Sequence, residues 1–220
     1  MGRSRSPGRR PSKGTRVSTH SLRLESRDLA LVTTFAALIA VCAVLPAVQT
    51  GGAVPITLQT FGVLLTGALL GPWRGFLAVG LYLLVGIAGL PVFTQGRSGP
   101  SVFLTPSAGY LVGFLLAAAV AGFLVQYVRR RRSALGFALV LGACLVATFL
   151  VIHPLGIAGM VWRAEMTWTA ATAYNATFIP GDLVKAFVTA VVATSVHAAF
   201  PDLLPTPRRR TVARRETIDA

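Results

Sequence analysis

Six apolar segments constrain the fold of this chain more than any other feature of its sequence. Several are shorter than the ~20 residues that an untilted membrane-spanning helix needs. Only Gly71-Pro72-Trp73-Arg74 separates the second segment from the third, which predicts a tight helical hairpin. We therefore expect an all-α integral membrane protein with six transmembrane helices. The segments are Leu29–Val48, Leu58–Leu70, Gly75–Leu90, Gly109–Val128, Ala134–Ile152 and Leu183–Phe200.

Composition supports a membrane protein. Of the 220 residues, 54% are hydrophobic and 13% are charged, whereas about a quarter of the residues in a soluble domain are charged. The net charge of +14 alone would suggest nucleic-acid binding. However, the cations lie in the tails and one short loop, without the aromatic residues of an RNA-binding surface. We expect no nucleic-acid partner.

The positions of Lys and Arg predict the orientation. With both termini in the cytoplasm, 18 of the 21 Lys and Arg residues fall on the cytoplasmic side, as the positive-inside rule requires. The prediction is a multi-pass protein of the plasma membrane. Residues 1–28 form a disordered basic cytoplasmic tail, residues 29–200 the membrane domain, and residues 201–220 a second basic cytoplasmic tail. Met160–Ile179 is more polar, and we expect an outer loop there, with a helix along the membrane interface.

The sequence lacks the patterns of an enzyme. It has no nucleophile elbow, Walker A loop, HExxH motif or dinucleotide fingerprint. Cys42 and Cys144 lie in apolar segments without CxxC spacing, which supports neither a metal site nor a disulfide. The chain has only seven acidic residues, and Asp182 lies at the start of the last apolar segment, so paired catalytic carboxylates are hard to build. We expect no catalytic residue, no metal and no cofactor in this chain.

Asp182 and Lys185 are the residues most indicative of function. They lie three positions apart at the start of the last apolar segment, so on a helix they share one face. Charge at membrane depth usually marks a substrate site, an ion path or a proton relay. The predicted topology places the pair on the extracytoplasmic side. The alternative is structural: Asp182 caps the last helix, and Lys185 extends its ammonium group to the membrane surface.

Loops predicted on the outer side supply further polar groups. If they converge on Asp182 and Lys185, the site suits a small, mainly apolar ligand with a polar head and a negative charge. Asp182 would accept hydrogen bonds from N–H groups, and Lys185 or Arg97 would bind a carboxylate. Glycine and proline in these loops allow close approach of the backbone to a ligand. The further candidate binding residues are Gln59, Tyr110, Arg97 and Asn175.

Transport powered by this chain alone is not indicated. The chain is short and shows no repeat between its halves of the kind found in secondary transporters. It resembles a membrane binding module that takes its energy from a partner. Ala36 and Ala40 form a small-xxx-small face that permits close helix packing, inside the protein or against a partner. For His153 and His197 we expect structural roles.

Five motifs in this order point to one family. They are Pro55-Ile56-Thr57-Leu58-Gln59-Thr60, Gly67-Ala68-Leu69-Leu70-Gly71-Pro72-Trp73-Arg74-Gly75, Gly89-Leu90-Pro91-Val92-Phe93, Thr105-Pro106-Ser107-Ala108-Gly109-Tyr110 and Pro180-Gly181-Asp182-Leu183-Val184-Lys185. The chain resembles the BioY family, the biotin-specific substrate-binding (S) components of energy-coupling-factor (ECF) transporters. The similarity covers about Leu29 to Phe200.

The resemblance implies a six-helix membrane protein that captures biotin from outside with high affinity. A transmembrane coupling (T) protein and two ATPase subunits, which use the ATP, would then power delivery inward. The resemblance also implies that Asp182 and Lys185 contact biotin and that the Ala36/Ala40 face docks on the T protein. The other four binding residues rest on topology and chemistry rather than on matched motif positions.

Two alternatives stay open. An S component for another small vitamin would have the same fold, but biotin would fail to compete with its true ligand. A membrane enzyme or a structural scaffold would show no reversible vitamin binding. An enzyme would show turnover that is abolished by substitution of Asp182 or His153.

Overall fold

A computed structural model describes residues 26–48, 54–129 and 136–200. Within these ranges the chain is helical, with two isolated β-bridges and no strand. The prediction of an all-α protein is confirmed. The α-helices are α1 (Ser26–Val44), α2 (Gln59–Ile87), α3 (Ala108–Arg129), α4 (Gly136–Ala147), α5 (His153–Arg163), α6 (Trp168–Asn175) and α7 (Ile179–Ala199). The shorter elements are 3-10 helices at Thr94–Gly96, Pro100–Leu104 and Ala176–Phe178, and a π-helical turn at Thr148–Ile152.

Five segments in the described part of the chain are long and apolar enough to cross a membrane. The fourth joins α4 and α5 through the π-helical turn, and the fifth joins α6 and α7. These segments are Ser26–Val44, Gln59–Ile87, Ala108–Tyr127, Gly136–Arg163 and Trp168–Ala199.

Helix α2 folds back on itself at Gly71. This residue has φ +81°, a conformation that favours glycine, and the following Pro72 has no N–H group to continue the helix. A Cβ atom on Gly75 would lie 3.1 Å from the Cα atom of Gly67, whereas that stretch of straight helix would be about 12 Å long. The two halves of α2 therefore lie side by side. The break coincides with the turn predicted at Gly71–Arg74.

Small residues bring α3 close to both halves of α2. A Cβ atom on Gly67 would overlap the carbonyl oxygen of Ala118, and one on Gly122 would overlap the backbone of Gly71. Helix backbones that approach this closely gain van der Waals contacts, which drive helix association where lipid replaces water. Helices α2 and α3 thus form the centre of the molecule, and the other helices pack around them.

Several predicted boundaries were wrong. Helix α1 begins at Ser26 and ends at Val44, so residues 26–28 of the predicted tail are helical. Asp28, in its first turn, forms an ion pair with Arg74. The fifth segment does not end at Ile152, because the π-helical turn lets the helix pass Pro154 and continue to Arg163. The first residues of the predicted outer loop, Met160–Arg163, belong to α5, while α6 lies within the loop, where a helix was predicted. The tail predictions for 1–25 and 201–220 fall outside the described residues.

Candidate ligand-binding site

A pocket lies among the N-terminal ends of α2, α3 and α7 and the loops beside them. Its empty volume is about 710 Å³, including the solvent space at its mouth, which is within the usual range for small-molecule sites. Aromatic and aliphatic side chains surround a smaller set of polar groups. The apolar ones include Phe93, Phe114, Phe178, Leu111, Val54 and Val102.

Five of the six predicted binding residues line this pocket, although they come from separate parts of the sequence. The exception, Asn175, lies behind the pocket, where its Oδ1 atom accepts a hydrogen bond from the Tyr110 hydroxyl at 2.7 Å. The five that line the pocket are Gln59, Arg97, Tyr110, Asp182 and Lys185.

Helix α7 holds Asp182 and Lys185 together. The Nζ atom of Lys185 donates a hydrogen bond to Oδ1 of Asp182 at 2.9 Å, as the i, i+3 spacing on a helix allows. Asp182 is 4% exposed and Lys185 is 8% exposed. A buried charge requires a compensating partner, and here each residue provides one for the other. The carboxylate also lies in the first turn of α7, where the helix dipole favours negative charge.

The capping alternative for this pair was wrong. The N-cap residue of α7 is Phe178, and no side chain forms a capping hydrogen bond there. Lys185 is buried against Asp182 rather than extended to the membrane surface. The pair is therefore part of the pocket wall.

His153 contacts Asp182, and sequence reasoning gave it only a structural role. Its Nε2 atom lies 3.4 Å from Oδ2 of Asp182, and its ring stacks on Phe149 with 5.0 Å between the centroids. The π-helical turn before His153 adds a residue to the helical turn, which changes the direction in which the next side chain points. Such turns are frequent at functional sites. A polar residue between the end of an apolar segment and Pro154 was the one available signal.

Gln59 is held by residues on two sides. Its Nε2 atom donates to the hydroxyl of Tyr82 at 2.8 Å, and its Oε1 atom accepts from Oγ1 of Thr94 at 3.4 Å. Tyr82 lies outside the pocket and packs edge-on against Phe93. The carboxamide of Gln59 is thus fixed in the pocket wall.

Arg97 is an exposed cation at the pocket. Its guanidinium donates a hydrogen bond to Oε1 of Gln95 at 2.8 Å. The residues that the structure describes include no ion pair to Arg97. Its remaining N–H groups are suited to a carboxylate, which a guanidinium binds through two parallel hydrogen bonds.

The segment that leads into α2 covers part of the pocket. Val48 and Ile56 pair through two backbone hydrogen bonds of 2.9 and 3.0 Å. The Tyr174 hydroxyl, from α6, donates to the carbonyl oxygen of Val54 at 2.6 Å. These contacts fix the end of the first predicted outer loop. The remainder of that loop, residues 49–53, is not among the described residues.

Ala36 and Gly109 both pack against other parts of the chain itself. Ala36 is 6% exposed and packs in the core of the chain itself, while Ala40 is half-buried against that core. The exposed side of α1 includes Ala37 and Val41 instead. Docking through Ala36 and Ala40 stays a prediction. Gly109 approaches α5 rather than a ligand, since a Cβ atom there would overlap the carbonyl oxygen of Leu155.

Comparison with known proteins identifies the family of this chain. The model of the BioY family matches residues 15–202. The chain belongs to the BioY family. A relative named biotin transporter BioY, from Rhodobacter capsulatus, is 43% identical over 188 residues, which cover 81% of this chain and 97% of the relative. The biotin transporter BioY of Rhizobium etli is 38% identical over 188 residues, with 83% and 98% covered.

A solved structure supports the same membership. The crystal structure of the S-component for biotin from an ECF-type ABC transporter aligns with a TM-score of 0.74 and 29% identity, covering 78% of this chain and 91% of that chain. This BioY chain therefore has the fold of a membrane S component, and the resemblance stated from its motifs is confirmed.

Proposed function

We propose that this chain is the high-affinity biotin-binding subunit of a vitamin uptake transporter in the plasma membrane. It captures biotin on the extracytoplasmic side and delivers it inward with a T protein and two ATPase subunits. The observation that carries the proposal is a pocket walled by the buried Asp182–Lys185 pair in a BioY family member. Two relatives named as biotin transporters support it, and this chain aligns with each of them over nearly the relative's whole length. It is a transport component rather than an enzyme.

The proposal includes six membrane crossings with both termini in the cytoplasm. The fold-back of α2 supports the count, because it divides one of the five candidate segments into two antiparallel halves. The ion pair between Asp28 and Arg74 joins the start of α1 to this fold-back. The other end of α1 leads to the pocket. The pocket therefore lies at the end of the molecule opposite Arg74, which the positive-inside rule places in the cytoplasm.

The chemistry of biotin matches the two ends of the pocket. Biotin has a cyclic urea with two N–H donors and one carbonyl acceptor, an apolar ring and chain, and a carboxylate. Asp182 and Lys185 neutralise each other, so Arg97 is the cation that best suits the carboxylate. We place the urea at the buried Asp182–Lys185 pair and the carboxylate at Arg97, with the aromatic side chains around the apolar part.

Partner docking belongs to the same proposal. The T protein docks on α1, where small residues let a second helix backbone approach closely. Ala40 lies at the edge of this surface and Ala36 lies beneath it, packed against the chain's own core. The ATPase subunits contact the T protein and supply the energy that this chain has no means of generating.

A vitamin titration tests the proposal. The full-length chain, purified in detergent, is titrated by calorimetry with biotin, riboflavin and thiamine. We expect saturable binding of biotin alone, with one site per chain. Saturable binding of a different vitamin, without competition by biotin, would replace the ligand while leaving the S component fold in place. Absence of saturable biotin binding by a folded chain would refute the proposal.

A further inference from the structure

Four neighbouring side chains form a polar row along the back of the pocket: Tyr110, Asn175, His153 and Asp182. The Tyr110 hydroxyl donates to Oδ1 of Asn175 at 2.7 Å. The Nδ2 atom of Asn175 lies 2.6 Å from Nδ1 of His153, and Nε2 of His153 lies 3.4 Å from Oδ2 of Asp182. The two end members line the pocket, and the two middle members do not. Groups from α3, α5, α6 and α7 are thereby connected.

The amide of Asn175 determines which nitrogen of His153 carries the proton. Because Oδ1 of Asn175 accepts from Tyr110, the amide group that faces His153 is Nδ2, which can only donate. Nδ1 of the imidazole must then accept and carries no proton. In a neutral ring the proton is therefore on Nε2, the nitrogen that lies 3.4 Å from Oδ2 of Asp182. A doubly protonated ring would place two donors against each other.

The members of this polar row have little freedom to rearrange. His153 is 4% exposed and Asn175 is 5% exposed, and buried polar groups of this kind are almost always hydrogen-bonded. The stacking of His153 on Phe149 fixes the plane of its ring. The position of each of these side chains thus depends on its neighbours.

As a result, the pocket has two fixed hydrogen-bond acceptors, Asp182 and Tyr110. Oδ1 of Asp182 accepts a hydrogen bond from Lys185, and Oδ2 lies 3.4 Å from Nε2 of His153. Tyr110 gives its only proton to Asn175, so its oxygen can only accept from a ligand. Both groups then face the pocket with lone pairs rather than with donors.

We propose that His153 and Asn175 are positioning residues, which hold Asp182 and Tyr110 as hydrogen-bond acceptors for the ligand. This inference rests on the proposed function and deepens it. The two N–H groups of the biotin urea meet one oxygen of Asp182 and the hydroxyl oxygen of Tyr110. Neither His153 nor Asn175 touches the ligand.

Substitutions of His153 separate positioning from packing. His153→Phe keeps the ring and its stacking on Phe149 but removes both nitrogens, whereas His153→Gln keeps an N–H donor for Asp182. Loss of a hydrogen bond to a charged group weakens binding by about 10- to 100-fold. We expect that loss of biotin affinity in His153→Phe, with the fold retained by circular dichroism, and tighter binding in His153→Gln. The matched control His197→Gln, on α7 away from the pocket, should bind as the native chain does.

A double-mutant cycle tests whether His153 and Asn175 act together. If they act through one polar row, Asn175→Ala and His153→Phe each interrupt it. The double variant then binds biotin about as weakly as the single variant with the lower affinity. Losses that multiply would show two independent effects and would overturn the proposal. So would a His153→Phe variant that binds biotin as tightly as His153→Gln or the native chain.

The protonation of His153 gives a readout that needs no ligand. In protein labelled with ¹⁵N-histidine, the imidazole nitrogen resonances report which nitrogen carries the proton, and subtraction of the His153→Gln spectrum assigns His153. We expect the proton on Nε2 rather than on Nδ1. The Nδ1–H form or a doubly protonated ring would overturn the inference, even in a chain that binds biotin. A chain that binds no biotin but shows the Nε2–H form would refute the proposed function and leave the side-chain arrangement standing.

Discussion

Two cations border the pocket, and their surroundings give them different roles. Lys185 is buried and bonded to Asp182, so its charge is already compensated. Arg97 is exposed and donates to the uncharged side chain of Gln95. At the scale of single residues, the pocket therefore combines a neutral polar end with a positive one. A ligand with an uncharged polar head and an acidic tail fits both.

Arg97→Gln should separate these two roles. We expect the variant to bind biotin about tenfold more weakly, because a charge-assisted hydrogen bond to the carboxylate is lost. Its affinity for biotinamide, which has no carboxylate, should be close to that of the native chain. Calorimetric titration with both ligands measures the difference. An equal loss for the two ligands would contradict the placement of the carboxylate at Arg97.

The sequence was sufficient to predict the charged residues that line the pocket, but not their connections. Asp182 and Lys185 were recognisable because charge within an apolar segment is rare, and their i, i+3 spacing is local. The contact of His153 with Asp182 depends on where α5 and α7 lie in the folded protein. Asn175 was predicted to bind the ligand, and nothing in its neighbourhood in sequence showed that it lies behind Tyr110. Such contacts are set by tertiary packing.

At the scale of helices, glycines set how closely the backbones pack. Gly109 on α3 and Gly159 on α5 face each other, and a Cβ atom on Gly109 would lie 2.9 Å from the Cα atom of Gly159. Tyr110, which lines the pocket, is the next residue on α3. The spacing of α3 and α5 therefore affects the position of Tyr110 and of the residues bonded to it.

Gly109→Ala should destabilise the protein and weaken biotin binding. Overpacking of a tight contact costs about 1 to 3 kcal/mol, and separation of α3 from α5 would displace Tyr110. Gly142→Ala is a matched control, because a Cβ atom at Gly142 would meet nothing within 4 Å; its stability should be unchanged or slightly higher. Thermal unfolding in detergent, followed by biotin titration, measures both effects. Equal melting temperatures for the two variants would contradict the close α3–α5 contact.

Helix ends were predicted well where the signal is local. The fold-back of α2 was recognisable because Gly71 and Pro72 interrupt an apolar run, and glycine is the residue that adopts a positive φ most readily. The continuation of α5 to Arg163 was missed because His153-Pro154 resembles a helix end. The π-helical turn before them changes the hydrogen-bonding pattern, and sequence periodicity does not reveal it.

At the scale of the whole molecule, the pocket and the Asp28–Arg74 pair mark opposite ends. Trp162, at the end of α5, is exposed beside the loop that leads to α6 on the pocket side. Trp73 is exposed at the fold-back of α2 on the other side. These two positions therefore report on opposite faces of the membrane.

Labelling of single cysteines tests the proposed orientation. In a background with Cys42 and Cys144 replaced by alanine, Trp162→Cys should react with a membrane-impermeant maleimide in intact cells. Trp73→Cys should react only after the membrane is opened. Uptake of biotin by both variants serves as the control for correct folding. The reverse labelling pattern would contradict a pocket that faces outward.

Calorimetry of two charge-removing variants tests whether the buried Asp182–Lys185 pair binds biotin. Asp182→Asn leaves Lys185 buried without its counter-charge and should weaken biotin binding by about 30-fold or more. Asp28→Asn removes an acidic partner from the ion pair at the other end of the molecule and should leave the affinity unchanged. Native affinity for biotin in a folded Asp182→Asn variant would show that the buried pair does not bind biotin.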